Sequence, residues 1–182
     1  MASISILGAG GWGIALGVLL HRNGHNVTLW SKLEREIDML QKEREHKTGL
    51  PGVIIPDDIK ITGDIMQATT DKDVLVMAVA SSYTRATAHL LQPYIKKGQI
   101  IVNVSKGIEE SSLMTLSQVI EDEIPMADVA VLSGPSHAEE VGREMPTTIV
   151  VGAKTKETAQ FIQNIFMSKV FRVYTSPDIL GI

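Results

Sequence analysis

Three glycines, Gly8, Gly10 and Gly13, fall at the spacing G-x-G-x-x-G within ILGAGGWG, residues 6–13. An apolar run precedes them and a stretch of helical periodicity follows. A helix N-terminus presents unpaired backbone N–H groups and the positive end of the helix dipole, so it attracts phosphate. Side chains at such a turn would hold a pyrophosphate away from the main chain. Gly8 suits the tight turn, Gly10 lets the backbone approach a pyrophosphate, and Gly13 lets helix and strand pack closely. Gly11 adds further room. The chemistry these residues point to is the binding of a dinucleotide. Trp12, bulky among the glycines, either covers the mouth of the site or packs the helix onto the strands behind it.

Other strand ends supply further candidates. NAD sites commonly place an acid at the end of the second strand, where it holds the ribose 2′-hydroxyl. Here that stretch reads Leu29-Trp30-Ser31-Lys32, with no acid. Ser31 can hydrogen-bond a 2′-phosphate and Lys32 can pair with its charge. This predicts NADPH as the preferred coenzyme, with NADH tolerated; the alternative for Lys32 is an ordinary surface lysine. NVSKGIE (103–109) brings Lys106 to the end of a buried strand, where a cation can hold an anionic or carbonyl-bearing substrate beside a nicotinamide. In SGPSHAEEV (133–141), Gly134 and Pro135 shape a turn. Ser136 there either caps a helix or offers its hydroxyl to a substrate. His137 is a lesser candidate for proton relay. His21, His25, His46 and His89 show no ligand spacing with one another, so no metal is expected.

The elements that must position these residues follow from periodicity and punctuation. Segments 3–7, 26–30, 59–62, 73–80, 99–105, 129–134, 147–153 and 170–175 read as strands. DVLVMAVA (73–80) is continuously apolar, as a parallel strand buried on both faces must be. Helices are expected over 11–22, 33–46 and 81–91, from Ser111-Ser112 onward, and over 136–141 and 155–166. Asn23-Gly24 stops the first helix, because glycine adopts the left-handed conformation cheaply. EREIDMLQKEREHK reads as a solvated helix face, and GLPGVIIP (49–56) as a loop. Strands alternating with helices imply an α/β fold, with a parallel sheet covered on both faces and no linker.

Composition narrows the classes further. The 182 residues suffice for one domain with a sizeable core. The net charge of -4 offers no basic field to nucleic acid or anionic membrane. No apolar run approaches the roughly 20 residues of a membrane span. There is no cysteine, so disulfides and thiolate metal sites are excluded, which is compatible with a cytoplasmic location.

Taken in order, several stretches resemble the bacterial NAD(P)-dependent glycerol-3-phosphate dehydrogenases. They are GAGGWG (8–13), Asn23-Gly24-His25, Leu29-Trp30, LPGVIIP (50–56), SKGIE (105–109), SGPSHAEEV (133–141) and FRVYTSPDILG (171–181). The resemblance implies a Rossmann-like, mostly parallel sheet with helices on both faces. It implies reduction of dihydroxyacetone phosphate to sn-glycerol 3-phosphate, the backbone precursor of phospholipids, and a homodimer when full length. It also implies coenzyme contacts at Gly11, Trp12, Lys32, Lys106 and Ala138, and substrate contacts at Lys106, Gly134 and Ser136. A proton-donating lysine and the grip on the substrate phosphate would come from a helical second domain beyond Ile182. Residues 1–182 are therefore expected to bind coenzyme without turnover. One departure lies after the fourth strand, where the family's V-P-S is Val79-Ala80-Ser81 and the turn should be looser. Rival readings are another two-domain dehydrogenase acting on hydroxy acids or nucleotide sugars, and a non-catalytic dinucleotide sensor. The first would share the glycine turn but not SKGIE with SGPSHAEEV; the second has no use for Lys106 or Ser136.

Overall fold

The computed structural model describes residues 1–182. Eight strands form one sheet: β1 (Ser3–Leu7), β2 (Asn26–Trp30), β3 (Lys60–Thr62), β4 (Val74–Met77), β5 (Ile100–Asn103), β6 (Asp128–Ser133), β7 (Thr147–Ala153) and β8 (Phe171–Ser176). Their spatial order is β3-β2-β1-β4-β5-β6-β7-β8. All neighbours run parallel except β6 and β7. The helices are α1 (Gly11–Arg22), α2 (Glu34–Glu43), α3 (Ile65–Thr69), α4 (Thr84–Leu91), α5 (Leu116–Glu123), α6 (Ala138–Gly142) and α7 (Lys156–Phe166). The fold is Rossmann-like, as expected. From β1 the chain steps one way to β2 and β3, then returns to place β4 on the other side of β1. That reversal opens a crevice at the carboxyl ends of β1 and β4, where ligands of open α/β sheets bind.

Alternation along each strand sends side chains to two faces. Ile4 and Ile6 pack on one face with Leu16 and Leu20 of α1 and Ile162 and Phe166 of α7. Leu7, Leu75 and Met77 pack on the other with Leu91 of α4 and Ile120 of α5. Several boundaries differ from expectation. The segment opening at Ser81 is one 3-10 turn, Ser81–Tyr83, before α4. Helix α5 starts at Leu116 rather than near Ser111, because Thr115 and Gln118 form a capping box there. Helix α3 was not read from the sequence; Asp64 caps it by accepting from the Met66 and Gln67 N–H groups.

Candidate functional site

The glycine turn sits at the crevice. Gly8 N donates to Trp30 O (2.9 Å) and Ala78 N donates to Leu7 O (2.8 Å), which draws the ends of β1, β2 and β4 together. Gly8 has φ +119°, and a Cβ there would lie 2.7 Å from the Ala78 carbonyl, so both conformation and space require glycine. A Cβ on Gly13 would lie 1.9 Å from the Gly8 carbonyl oxygen, so α1 packs directly on the turn. At Gly10 the situation reverses: a Cβ would meet nothing within 4 Å. Gly10 is the N-cap of α1 and supplies no side-chain cap, so no side chain takes up the first N–H groups of the helix. The cradle is tight beneath and open above, which fits a pyrophosphate resting on bare backbone.

Trp12 packs against the core and also borders a cleft. Its indole N–H donates to Val104 O (3.1 Å), tying the start of α1 to the chain just past β5. Its ring also lines a cleft of about 360 Å³ together with Asn103, Lys106, Ser133 and Ser136. Lys106 reaches across this cleft, donating to Gly134 O (3.2 Å) and Ser136 O (3.5 Å). The structure therefore brings Lys106, Gly134 and Ser136 together, although 28 residues separate the first two. Ser136 is buried but does not cap α6. His137 holds the cap position without a side-chain bond, and Ala138 is the first residue of the helix. The Ser136 hydroxyl instead turns back to donate to Gly134 O (3.3 Å).

The loop that presents Lys106 is anchored on both sides. Ser105 Oγ donates to Val79 O (2.6 Å), while Asn103 accepts from Ser105 N (3.3 Å). Glu109 accepts two bonds from Arg85 of α4, both 2.8 Å, and Arg85 also donates to Asp122 and Glu123 of α5. Hydrogen bonds from Arg85 and Ser112 pull the Glu109 carboxyl down to about 2. The Arg85 guanidinium is pushed up by its three carboxylate partners. Sequence reading missed Arg85, whose only sequence mark is a basic residue on a helix one turn past Ser81. Ala80 holds φ −59°, an angle that proline would also adopt.

The end of β2 differs from expectation. Ser31 is buried, and its hydroxyl donates to a carboxylate oxygen of Glu36 while accepting from Leu33 N (3.1 Å). Lys32 is exposed beside it. Glu36, taken with its neighbours as solvated, is turned inward: only 18% of its side chain is exposed. Its sequence mark was an acid in the first turn of the helix following the second strand. Asn23-Gly24-His25 lies elsewhere. Asn23 Nδ2 donates to the carbonyls of Ile165 (3.0 Å), Phe166 and Met167 (both 3.3 Å) at the end of α7, so that stretch is a structural clasp.

No helix is long and apolar enough to cross a membrane. Residues 3–159 match the family described as NAD-dependent glycerol-3-phosphate dehydrogenase N-terminus. A glycerol-3-phosphate dehydrogenase (NAD(P)+) of Agathobacter rectalis is 57% identical over 181 residues, covering 100% of this chain and 54% of that protein. One of Fusobacterium nucleatum is 52% identical, covering 100% of this chain and 55% of that protein. The crystal structure of glycerol-3-phosphate dehydrogenase from Coxiella burnetii superposes with a TM-score of 0.93 at 29% identity, over 99% of this chain and 55% of the other. The chain spans about half the length of the curated relatives it matches. A glycine cradle open only at Gly10, a strand-end lysine bonded to the Gly134 turn, and agreement along the whole chain converge: the chain belongs to the NAD-dependent glycerol-3-phosphate dehydrogenase family, as its N-terminal part.

Proposed function

We propose that the protein is an NAD(P)-dependent oxidoreductase whose whole enzyme interconverts dihydroxyacetone phosphate and sn-glycerol 3-phosphate. The observation that carries this reading is the placement of Lys106, bonded to the carbonyls of Gly134 and Ser136, in a cleft also lined by Trp12, the second residue of α1 and a neighbour in sequence of the motif glycines. Residues 8–13 hold the pyrophosphate through the N–H groups at the start of α1. When bound, the reduced coenzyme supplies the hydride for the C2 carbonyl of the substrate. Lys106 orients that carbonyl and stabilises the negative charge developing on its oxygen. Ser136 and the Gly134 turn form the wall against which the substrate rests, and Ala138 borders the coenzyme. The proton donor and the grip on the substrate phosphate come from outside residues 1–182. Lys32, exposed at the end of β2, favours NADPH by pairing with its 2′-phosphate, and NADH is also accepted. A cytoplasmic homodimer feeding glycerophospholipid synthesis completes the proposal.

Lys106→Ala in the whole enzyme tests it. A charge-stabilising group of this kind is worth about 10²–10³ in rate. The variant should lose at least about 10²-fold in kcat/KM while its thermal melting stays close to the parent. Turnover within threefold of the parent would remove Lys106 from the chemistry.

A further inference from the structure

The acid that the end of β2 lacks reaches the same place from α2. Ser31 stands 18 residues after Gly13, where dinucleotide sites commonly carry the residue that reads the ribose 2′ position. Its one hydroxyl proton is committed to Glu36. The second Glu36 oxygen faces His46 Nε2 at 3.4 Å. His46 Nδ1 accepts from Gly49 N (2.9 Å), which puts the proton of the neutral ring on Nε2 and aims it at Glu36. The turn after His46 also abuts the pyrophosphate cradle: a Cβ on Gly11 would lie 2.2 Å from Gly49 O. Glu36 is thus tied through His46 and Gly49 to the glycine turn. A groove of about 630 Å³ opens beside it, lined by Leu33, Arg35, Glu36, Met39 and His46 among others.

We propose that Glu36 is the residue that sets coenzyme choice, accepting a hydrogen bond from the ribose 2′-hydroxyl of NADH and opposing the 2′-phosphate of NADPH. The inference rests on the dinucleotide reading above and deepens it. A hydroxyl donates to a carboxylate in a charge-assisted bond. A 2′-phosphate offers acceptors and negative charge to a group that is itself acceptor-only and negative, which costs affinity. Ser31 cannot relieve the conflict while its proton is engaged. Lys32 and Arg35 pull toward phosphate and Glu34 away from it, so both coenzymes bind and Glu36 sets the ratio. Selectivity built by a repulsive element leaves a signature: removing the repulsion helps the disfavoured ligand most.

Dissociation constants for NADH and NADPH, measured by fluorescence titration of residues 1–182 near neutral pH, test this. Glu36→Gln keeps an acceptor for Ser31 but removes the charge. It should move the ratio of the two constants at least fivefold toward NADPH; a smaller movement overturns the proposal. Ser31→Ala provides an independent reading should the first variant fail to fold. It should leave NADPH affinity unchanged or improved relative to NADH, whereas a selective loss of NADPH would assign the 2′-phosphate to Ser31 and sink the role of Glu36. If the parent chain binds neither coenzyme, the dinucleotide reading falls and this inference with it. If both bind with a ratio indifferent to Glu36, only the inference falls.

Discussion

A Cβ on Gly10 would meet nothing within 4 Å, whereas one on Gly13 would strike the Gly8 carbonyl oxygen at 1.9 Å. Two glycines of one motif thus answer to different demands. Gly13 serves packing, and overpacking of this kind costs about 1–3 kcal/mol. Gly10 has ordinary extended angles, φ −71° and ψ 177°, so a side chain there strains nothing in the free protein. Gly10→Val should therefore melt within about 2 °C of the parent, since such exposed changes stay within about 0.5 kcal/mol. The same variant should lose coenzyme affinity by more than tenfold, because its side chain fills the space left for phosphate. Melting and titration on one sample separate the two effects; unchanged affinity would mean that nothing binds over Gly10. At this scale residue types mark candidates but not which groups meet. Lys106 and Ser136 stand out in the sequence because each follows a buried strand, and the fold brings them within 3.5 Å of one another. Glu36 was not, because its neighbours on α2 face solvent and only the fold turns this one carboxylate toward Ser31.

Between elements, two clasps outside the cleft fix the geometry. Asn23, at the C-terminal end of α1, donates to three carbonyls at the end of α7. Asn23→Ala leaves those acceptors short of a donor, at a cost of about 1–3 kcal/mol. Melting should fall by several degrees while coenzyme affinity stays within twofold, since the proposed phosphate site lies at the other end of α1; a large affinity loss would contradict that division. The second clasp joins α4, α5 and the Lys106 loop through Arg85 and Glu109. Glu109 sits near 2 in the folded chain against an ordinary value of 4.5. A carboxyl with a depressed folded value stabilises the fold above its unfolded value, and that stability fades as pH falls toward the folded one. Arg85→Met should thus lower melting at neutral pH, and the gap to the parent should shrink as pH drops from 4.5 toward 2. A gap constant with pH would show that Arg85 acts by packing alone. Periodicity was enough to read the long helices and the buried strands. It failed for α3, whose five residues are too few to show a period. Nor did it reveal that β7 runs against β6. Five residues of α6 rise only about 7 Å, too little to carry the chain back along a six-residue strand of about 20 Å.

For the molecule as a whole, the question is what residues 1–182 can do with a bound coenzyme and a ketone. The cleft that Trp12 borders is lined also by Asn103, Lys106, Ser133, Ser136 and their neighbours, and no aspartate, glutamate or histidine is among them. Its one ammonium, Lys106, is bonded to two backbone carbonyls, a geometry suited to fixing a charge in place. Reduction of a ketone also needs a proton delivered to the new alkoxide, and a positioned acid typically contributes about 10²–10⁴ in rate. Orientation of the substrate contributes a separate factor, and it depends on gripping the phosphate end as well as the carbonyl. Beyond Lys106 the cleft wall carries no side-chain carboxyl, imidazole, guanidinium or second ammonium for either task. The 182-residue chain should therefore bind NADPH and NADH saturably, yet show no oxidation of either that depends on dihydroxyacetone phosphate. Absorbance at the nicotinamide band, followed at high protein concentration with and without dihydroxyacetone phosphate, checks this directly. A substrate-dependent decline that Lys106→Ala abolishes would place the proton donor within these residues and overturn the division of labour proposed for the whole enzyme.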